Sequence, residues 1–105
     1  MNERKITVAM VEAYDRKLKE AEHAVATREK YLRSIPAFAA WLGDGSVTKD
    51  AVTEWKAHLV KQQQAPSTVN TALAALNGLF RFLGWEDCRA RILKIQRLIS
   101  LELAR

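Results

Sequence analysis

Apolar positions recur along this chain at intervals of three and four residues, the spacing that collects side chains on one face of an α-helix. Val8, Val11, Ala13, Tyr14 and Leu18 trace a first helix from Val8 to about Ala21, with Thr7 placed to cap it. Tyr31, Ile35, Phe38 and Leu42 trace a second, from about Thr27 to Leu42, after a joint over residues 22–26. Ala51, Val52, Trp55, Leu59 and Val60 form the stripe of a third, opened by Thr48 with Asp50 in its first turn and closed before Pro66. Val69, Leu73, Leu76, Phe80 and Leu83 make the sharpest stripe, a fourth helix with Ser67 as its expected N-cap.

Punctuation supports these boundaries. Gly43 is expected as a left-handed C-cap ahead of a Gly43-Asp44-Gly45 loop, and Gly84 as the residue after the fourth helix. Trp85 then falls where a Schellman motif folds an apolar side chain back onto Phe80. Pro36 lies inside the second helix, where it removes a donor and crowds the Leu32 carbonyl, so a bend or a broken bond is expected there. A short fifth helix is expected near Glu86 or Asp87, and a tail after about Gln96. No internal repeat, low-complexity tract or strand-like alternation is visible. The predicted fold class is all-α, a compact bundle of four to five helices.

Length and composition narrow the picture. The 105 residues suffice for one domain, expected over 1–97, with 98–105 as a tail or linker. No apolar run is long enough for a membrane span, the charged start Met1-Asn2-Glu3-Arg4-Lys5 has no signal core, and the lone Cys88 suits a reducing cytoplasm. The net charge of +5 favours a polyanionic partner, and its excess falls in the second half of the chain. No catalytic constellation stands out. His23, His58 and Cys88 have no usual zinc spacing, the serines lack a nucleophile elbow, and no phosphate loop follows a strand. No cofactor or metal is expected.

The outward faces carry more information. Thr27, Lys30, Ser34 and Ala37 line up on the second helix; Ser67, Thr71, Ala74 and Gly78 line up on the fourth, with Thr68 before them and Arg81 after. Small, hydroxyl-bearing, weakly cationic faces suit a DNA major groove: they permit close approach, reach base edges and neutralise phosphates. Free amides at the start of the fourth helix could also hold a phosphate. The same pattern has a plainer reading, in which Ser67 and Thr68 cap a helix while Ala74 and Gly78 let another helix pack closely.

The stretches Thr27–Gly43 and Pro66–Gly84, with Val47-Thr48, Val52 and Trp55 between them, resemble the core-binding, SAM-like N-terminal domain of tyrosine recombinases, the phage integrases. The resemblance covers roughly residues 7–97 and rests on the order and spacing of individually weak motifs. It implies a non-catalytic module that clamps double-stranded DNA near the crossover site through its second and fourth helices. Carried over by position, Lys30 falls on the helix-two contact surface, Ser67, Thr68 and Thr71 on the contacting start of helix four, and Asn70 completes the motif. Thr27 and Ser34 join the candidate DNA-binding set from their faces, and Arg81 and Lys61 are phosphate contacts expected from charge and placement only. Ala24 stands where the family often has a serine N-cap, and Pro36 is unusual for it.

The resemblance also implies partners: duplex DNA, the catalytic domain of the same parent chain, and other recombinase protomers on the DNA. The arginines, His-x-x-Arg element and nucleophilic tyrosine of that catalytic domain are not found here, and Tyr14 and Tyr31 sit at core-facing helical positions. The expected setting is the cytoplasm of a bacterium, nucleoid-associated and encoded by the host, a phage or a mobile element. The alternative function is a helical interaction or oligomerisation domain that binds no DNA.

Overall fold

The computed structural model describes residues 4–93. Four α-helices follow in order: α1 (Val8–Glu20), α2 (Val25–Leu42), α3 (Lys49–Lys61) and α4 (Pro66–Leu83). A single 3-10 turn, Glu86–Cys88, takes the place of the expected fifth helix. The fold is all-α, as the periodicity predicts. The tail expected after Gln96 lies outside the described residues.

Local chemistry explains each helix end. Thr7 and Thr48 cap α1 and α3 by accepting hydrogen bonds from the amides of Met10 (3.2 Å) and Ala51 (3.0 Å). Asp50 sits in the first turn of α3, where the positive end of the helix dipole favours it. Ser67 is not the N-cap of α4. Pro66 takes the first helical position, where its fixed φ suits the helix and its missing N–H costs nothing, so Ala65 becomes the cap and Ser67 moves into the first turn. Similarly α2 begins at Val25, two residues ahead of expectation, with Ala24 as a cap that offers no side-chain bond.

Gly84 closes α4 in the left-handed conformation, and the Trp85 amide donates to the Phe80 carbonyl at 2.7 Å. The Trp85 and Phe80 rings lie 6.1 Å apart, completing the expected Schellman contact. Gly43 departs from expectation. Its φ of 65° is positive but its ψ is −126°, and the Gly45 amide donates to the Leu42 carbonyl at 3.2 Å. That is the first central position of a type II′ turn rather than a left-handed cap. The helix continues through Pro36, whose nitrogen has no hydrogen to offer the Leu32 carbonyl.

The connections α1–α2 and α3–α4 are alike in detail. Glu22 and Gln63 each adopt φ 62°, and each follows a 13-residue helix and precedes one of 18 residues. In both, a Schellman pair of bonds closes the helix: His23 donates to Leu18 and Glu22 to Lys19, as Gln64 donates to Leu59 and Gln63 to Val60. Ala24 (φ −60°, ψ 145°) and Ala65 (φ −61°, ψ 143°) then start the second helix of each pair. Every landmark recurs 41 positions on, from Thr7 and Thr48 to Gly43 and Gly84. The fold therefore contains two copies of one helical hairpin, correcting the expectation of no repeat. The register aligns identical residues at Val11/Val52, Leu18/Leu59, Ala24/Ala65, Thr27/Thr68, Leu32/Leu73 and Leu42/Leu83.

The core lies around α4, which touches all three other helices and the 3-10 turn. Val69, Leu73, Leu76, Leu79 and Phe80 are fully buried there, against Ile35 and Phe38 of α2 and Val52 and Trp55 of α3. Burying such side chains contributes roughly 1.5–3 kcal/mol each relative to exposure, which makes this stripe the main source of stability. Val8 is an exception among the expected core positions, at 73% exposed. The N-terminal segment is tied down by Arg4. Its amide donates to Ser46 Oγ, its carbonyl accepts from the Val47 amide, and its guanidinium pairs with Asp87 at 2.9 Å while lying 5.4 Å from the Trp85 ring centroid.

Candidate nucleic-acid interface

The most extensive interhelical contact joins α2 and α4, the two helices whose outward faces carry the candidate residues. Ile35 and Phe38 meet the α4 core stripe on the inner side, which turns Lys30, Ser34, Ser67, Thr68 and Thr71 toward a shared outer seam. The seam opens as a groove of 370 Å³ lined by Lys30, Arg33, Ser34, Ser67, Thr68 and Thr71. A second groove of 350 Å³ continues it, sharing Lys30 and Thr71 and adding Thr27, Tyr31, Asn70, Ala74 and Ile92. Seven of the eight sequence-predicted site residues thus come together along one track. The eighth, Arg81, stands beyond it, in an adjoining hollow with Tyr14, Lys17 and Phe82.

Hairpin duplication accounts for the convergence. Thr27 and Thr68 occupy the same position in the two copies, as do Lys30 and Thr71. Packing the equivalent helices of both copies against each other brings the two equivalent surfaces to one seam.

The electrostatics of the track favour an anion. No residue lining either groove is acidic. Lys30 and Arg33 are exposed and form no ion pair among the described residues. Arg28, by contrast, is engaged by Asp15 of α1 through two bonds of 2.9 and 3.0 Å; the guanidinium holds the Asp15 carboxyl below the usual carboxylate range. Both α2 and α4 start without a side-chain cap and without an acidic residue in the first turn, unlike α3 with Thr48 and Asp50. Their first-turn amides have no intrahelical acceptor and face the solvent end of the helix dipole.

Individual hydroxyls and amides differ in what they have left to offer. Ser67 and Thr68 are exposed. The Thr71 hydroxyl donates to the Ser67 carbonyl at 2.9 Å, leaving its oxygen as an acceptor. Asn70 is committed elsewhere: Nδ2 donates to the Leu93 carbonyl at 2.9 Å and Oδ1 accepts from the Leu93 amide. Its side-chain amide thus ties the segment around Leu93 to α4 while the residue also lines the second groove. Lys61 is exposed at the end of α3 and lines neither groove. Arg33 was missed from the sequence. Its position three residues after Lys30 on the same helix was the available signal.

At Gly78 the plainer sequence reading, close packing of another helix, holds. A Cβ there would lie 2.0 Å from the Tyr14 hydroxyl oxygen, so the missing side chain makes room for α1 of the same chain rather than for a foreign helix. Among the described residues there is no group of three His, Cys, Asp or Glu side chains arranged for a metal, and no helix is long and apolar enough to cross a membrane.

A family model described as the phage integrase, N-terminal SAM-like domain, matches residues 11–87, a span running from α1 to the 3-10 turn. No curated protein and no solved structure matches the chain.

Proposed function

The chain belongs to the phage integrase N-terminal SAM-like domain family, and from that footing we propose that it grips duplex DNA for a site-specific tyrosine recombinase through α2 and α4. A recombinase-associated role follows from family membership. The finer reading rests on one observation: residues of both helices, chosen from their outward faces, line a single track that contains Lys30 and Arg33 and no carboxylate.

In this reading the track receives the phosphate backbone. Lys30 and Arg33 neutralise phosphates, Ser67 and Thr68 donate hydroxyl and first-turn amide hydrogens, and Thr27 and Ser34 line the α2 side. Arg81 extends the cationic edge past the groove. The module orients DNA and contributes site preference, while strand cleavage belongs to a catalytic domain of the parent chain. Other protomers on the same DNA complete the assembly, in the cytoplasm or nucleoid. Packing of a foreign helix against Ala74 and Gly78 has less support, since Tyr14 already occupies the space above Gly78.

The test is a fluorescence-anisotropy titration of labelled duplex DNA across a salt series. Affinity in the micromolar range or weaker is expected, with log affinity falling linearly as log salt rises. Lys30→Ala and Arg33→Ala should each weaken binding and make the salt slope shallower by about one. Absence of binding at low ionic strength, or binding indifferent to salt, overturns the proposal.

A further inference from the structure

The hollow beside the track has a different character from the track itself. It measures 580 Å³ and is walled by the rings of Tyr14, Tyr31 and Phe82 together with Lys17, His23 and Arg81, with no acidic residue in its lining. Phe82 is 39% exposed and tilts against Tyr14 at 5.7 Å between centroids, so part of an aromatic surface is left open to a ligand.

Tyr14 supplies the observation that points to a ligand. Only 5% of the residue is exposed, yet its hydroxyl has no hydrogen-bond partner among the described residues. That oxygen sits over Gly78, where a Cβ would be 2.0 Å away, and both residues line the hollow. Although the ring is buried, the hydroxyl oxygen itself is open to solvent on the side of the hollow. Here its polar end looks into the hollow. Burial pushes its pKa up to about 12, so near neutral pH it keeps its proton and both donates and accepts.

We propose that this hollow receives an unpaired nucleobase together with its phosphate, the base stacking on Phe82 and hydrogen-bonded by Tyr14, the phosphate held by Arg81 and Lys17. The inference rests on the DNA-gripping reading above, because Tyr31 and Ala74 line both the track and the hollow. A nucleotide that leaves a duplex held in the track is thus delivered to the hollow's edge. Flat aromatic walls with adjacent cations bind bases without regard to sequence, since every base offers a π-face.

The experiment compares two duplexes of one sequence, fully paired or carrying a single unpaired 2-aminopurine, titrated with the full chain at fixed salt. The expected result is at least fivefold tighter binding of the bulged duplex, with quenching of the 2-aminopurine emission on binding. Phe82→Ala should abolish that preference and leave affinity for the paired duplex unchanged. Tyr14→Phe, which keeps the ring and removes the hydroxyl, should reduce it in part. Equal affinity of the unaltered chain for both duplexes, or a preference that survives Phe82→Ala, overturns the inference while the gripping reading stands. Failure to bind either duplex overturns both.

Discussion

Asn70 and Leu93 are joined by a reciprocal pair of hydrogen bonds, the side-chain amide of one to the backbone amide and carbonyl of the other. Asn77 makes the same clasp with Ala90, donating to its carbonyl at 2.8 Å and accepting from its amide at 3.0 Å. Seven residues of helix rise roughly 10.5 Å, and three residues of extended chain span roughly 10 Å, so the two clasps keep step. They lay the segment after the 3-10 turn antiparallel along α4 and bring Ile92 to the edge of the candidate track. Asn70→Ala and Asn77→Ala should each cost about 1–2 kcal/mol, from two hydrogen bonds lost at a partly buried site. Hydrogen exchange separates the clasps: the Leu93 amide should lose protection in the first variant and the Ala90 amide in the second. Unchanged exchange at both amides would show that the clasps hold nothing.

A second prediction concerns Gly78 and Tyr14. Gly78→Ala places a methyl group 2.0 Å from the Tyr14 oxygen, and the ring that carries it is wedged in the core. The overpacking should destabilise the fold by about 1–3 kcal/mol. Removing the oxygen leaves Tyr14 Cζ as the nearest atom, at 3.2 Å. Tyr14→Phe should therefore recover most of the loss. A double-mutant cycle by thermal denaturation reads the coupling. Additive effects would mean that the two groups do not meet.

The helices themselves were legible because their stripes are long and their caps follow local rules, as at Thr7, Thr48 and the Gly84–Trp85 turn. The candidate surfaces were legible for the same reason, since a helix that buries Ile35 and Phe38 must turn Lys30 and Ser34 outward. Long-range features were not. Nothing local to Asn70 distinguishes a clasp on Leu93 from a DNA contact, and nothing local to Arg4 foretells Ser46, Asp87 and Trp85. Ser67 misled because a serine before an apolar stripe reads as a cap, although Pro66 satisfies the helix start one residue earlier. The repeat was hidden because its strongest marks, the positive φ of Glu22 and Gln63, fall on residues that usually avoid that conformation.

Those two positions yield the third prediction. Neither Glu22 nor Gln63 is a glycine, and the left-handed conformation costs an L-residue about 1–2 kcal/mol. Glycine removes that strain but raises the entropy of the unfolded chain by about 0.4–1 kcal/mol. Glu22→Gly and Gln63→Gly should each give a net gain of about 0.5–1 kcal/mol, and the double variant the sum, because the sites lie in separate hairpins. Denaturant midpoints measure it. Destabilisation by either glycine would contradict the assigned turn geometry.

The fourth prediction is a loss of stability on acidification through the Asp15–Arg28 pair. The Arg28 guanidinium, bonded at 2.9 Å, holds the Asp15 carboxyl below its ordinary value. A carboxyl with a depressed pKa in the folded state contributes stability that is fully present above its unfolded value, near 3.8, and is lost as pH falls through the folded one. The pair bridges α1 to α2 at the surface, where solvent screens it, so its contribution is small. The pair is fully formed at pH 7, and protonation weakens it only below about pH 4. Asp15→Asn should lower the midpoint of thermal unfolding slightly at pH 7, have progressively less effect below pH 4, and show less dependence on added salt than the unaltered chain. A difference between the two proteins that stayed constant from pH 7 to pH 2.5 would assign the effect of Asp15 to something other than its charge.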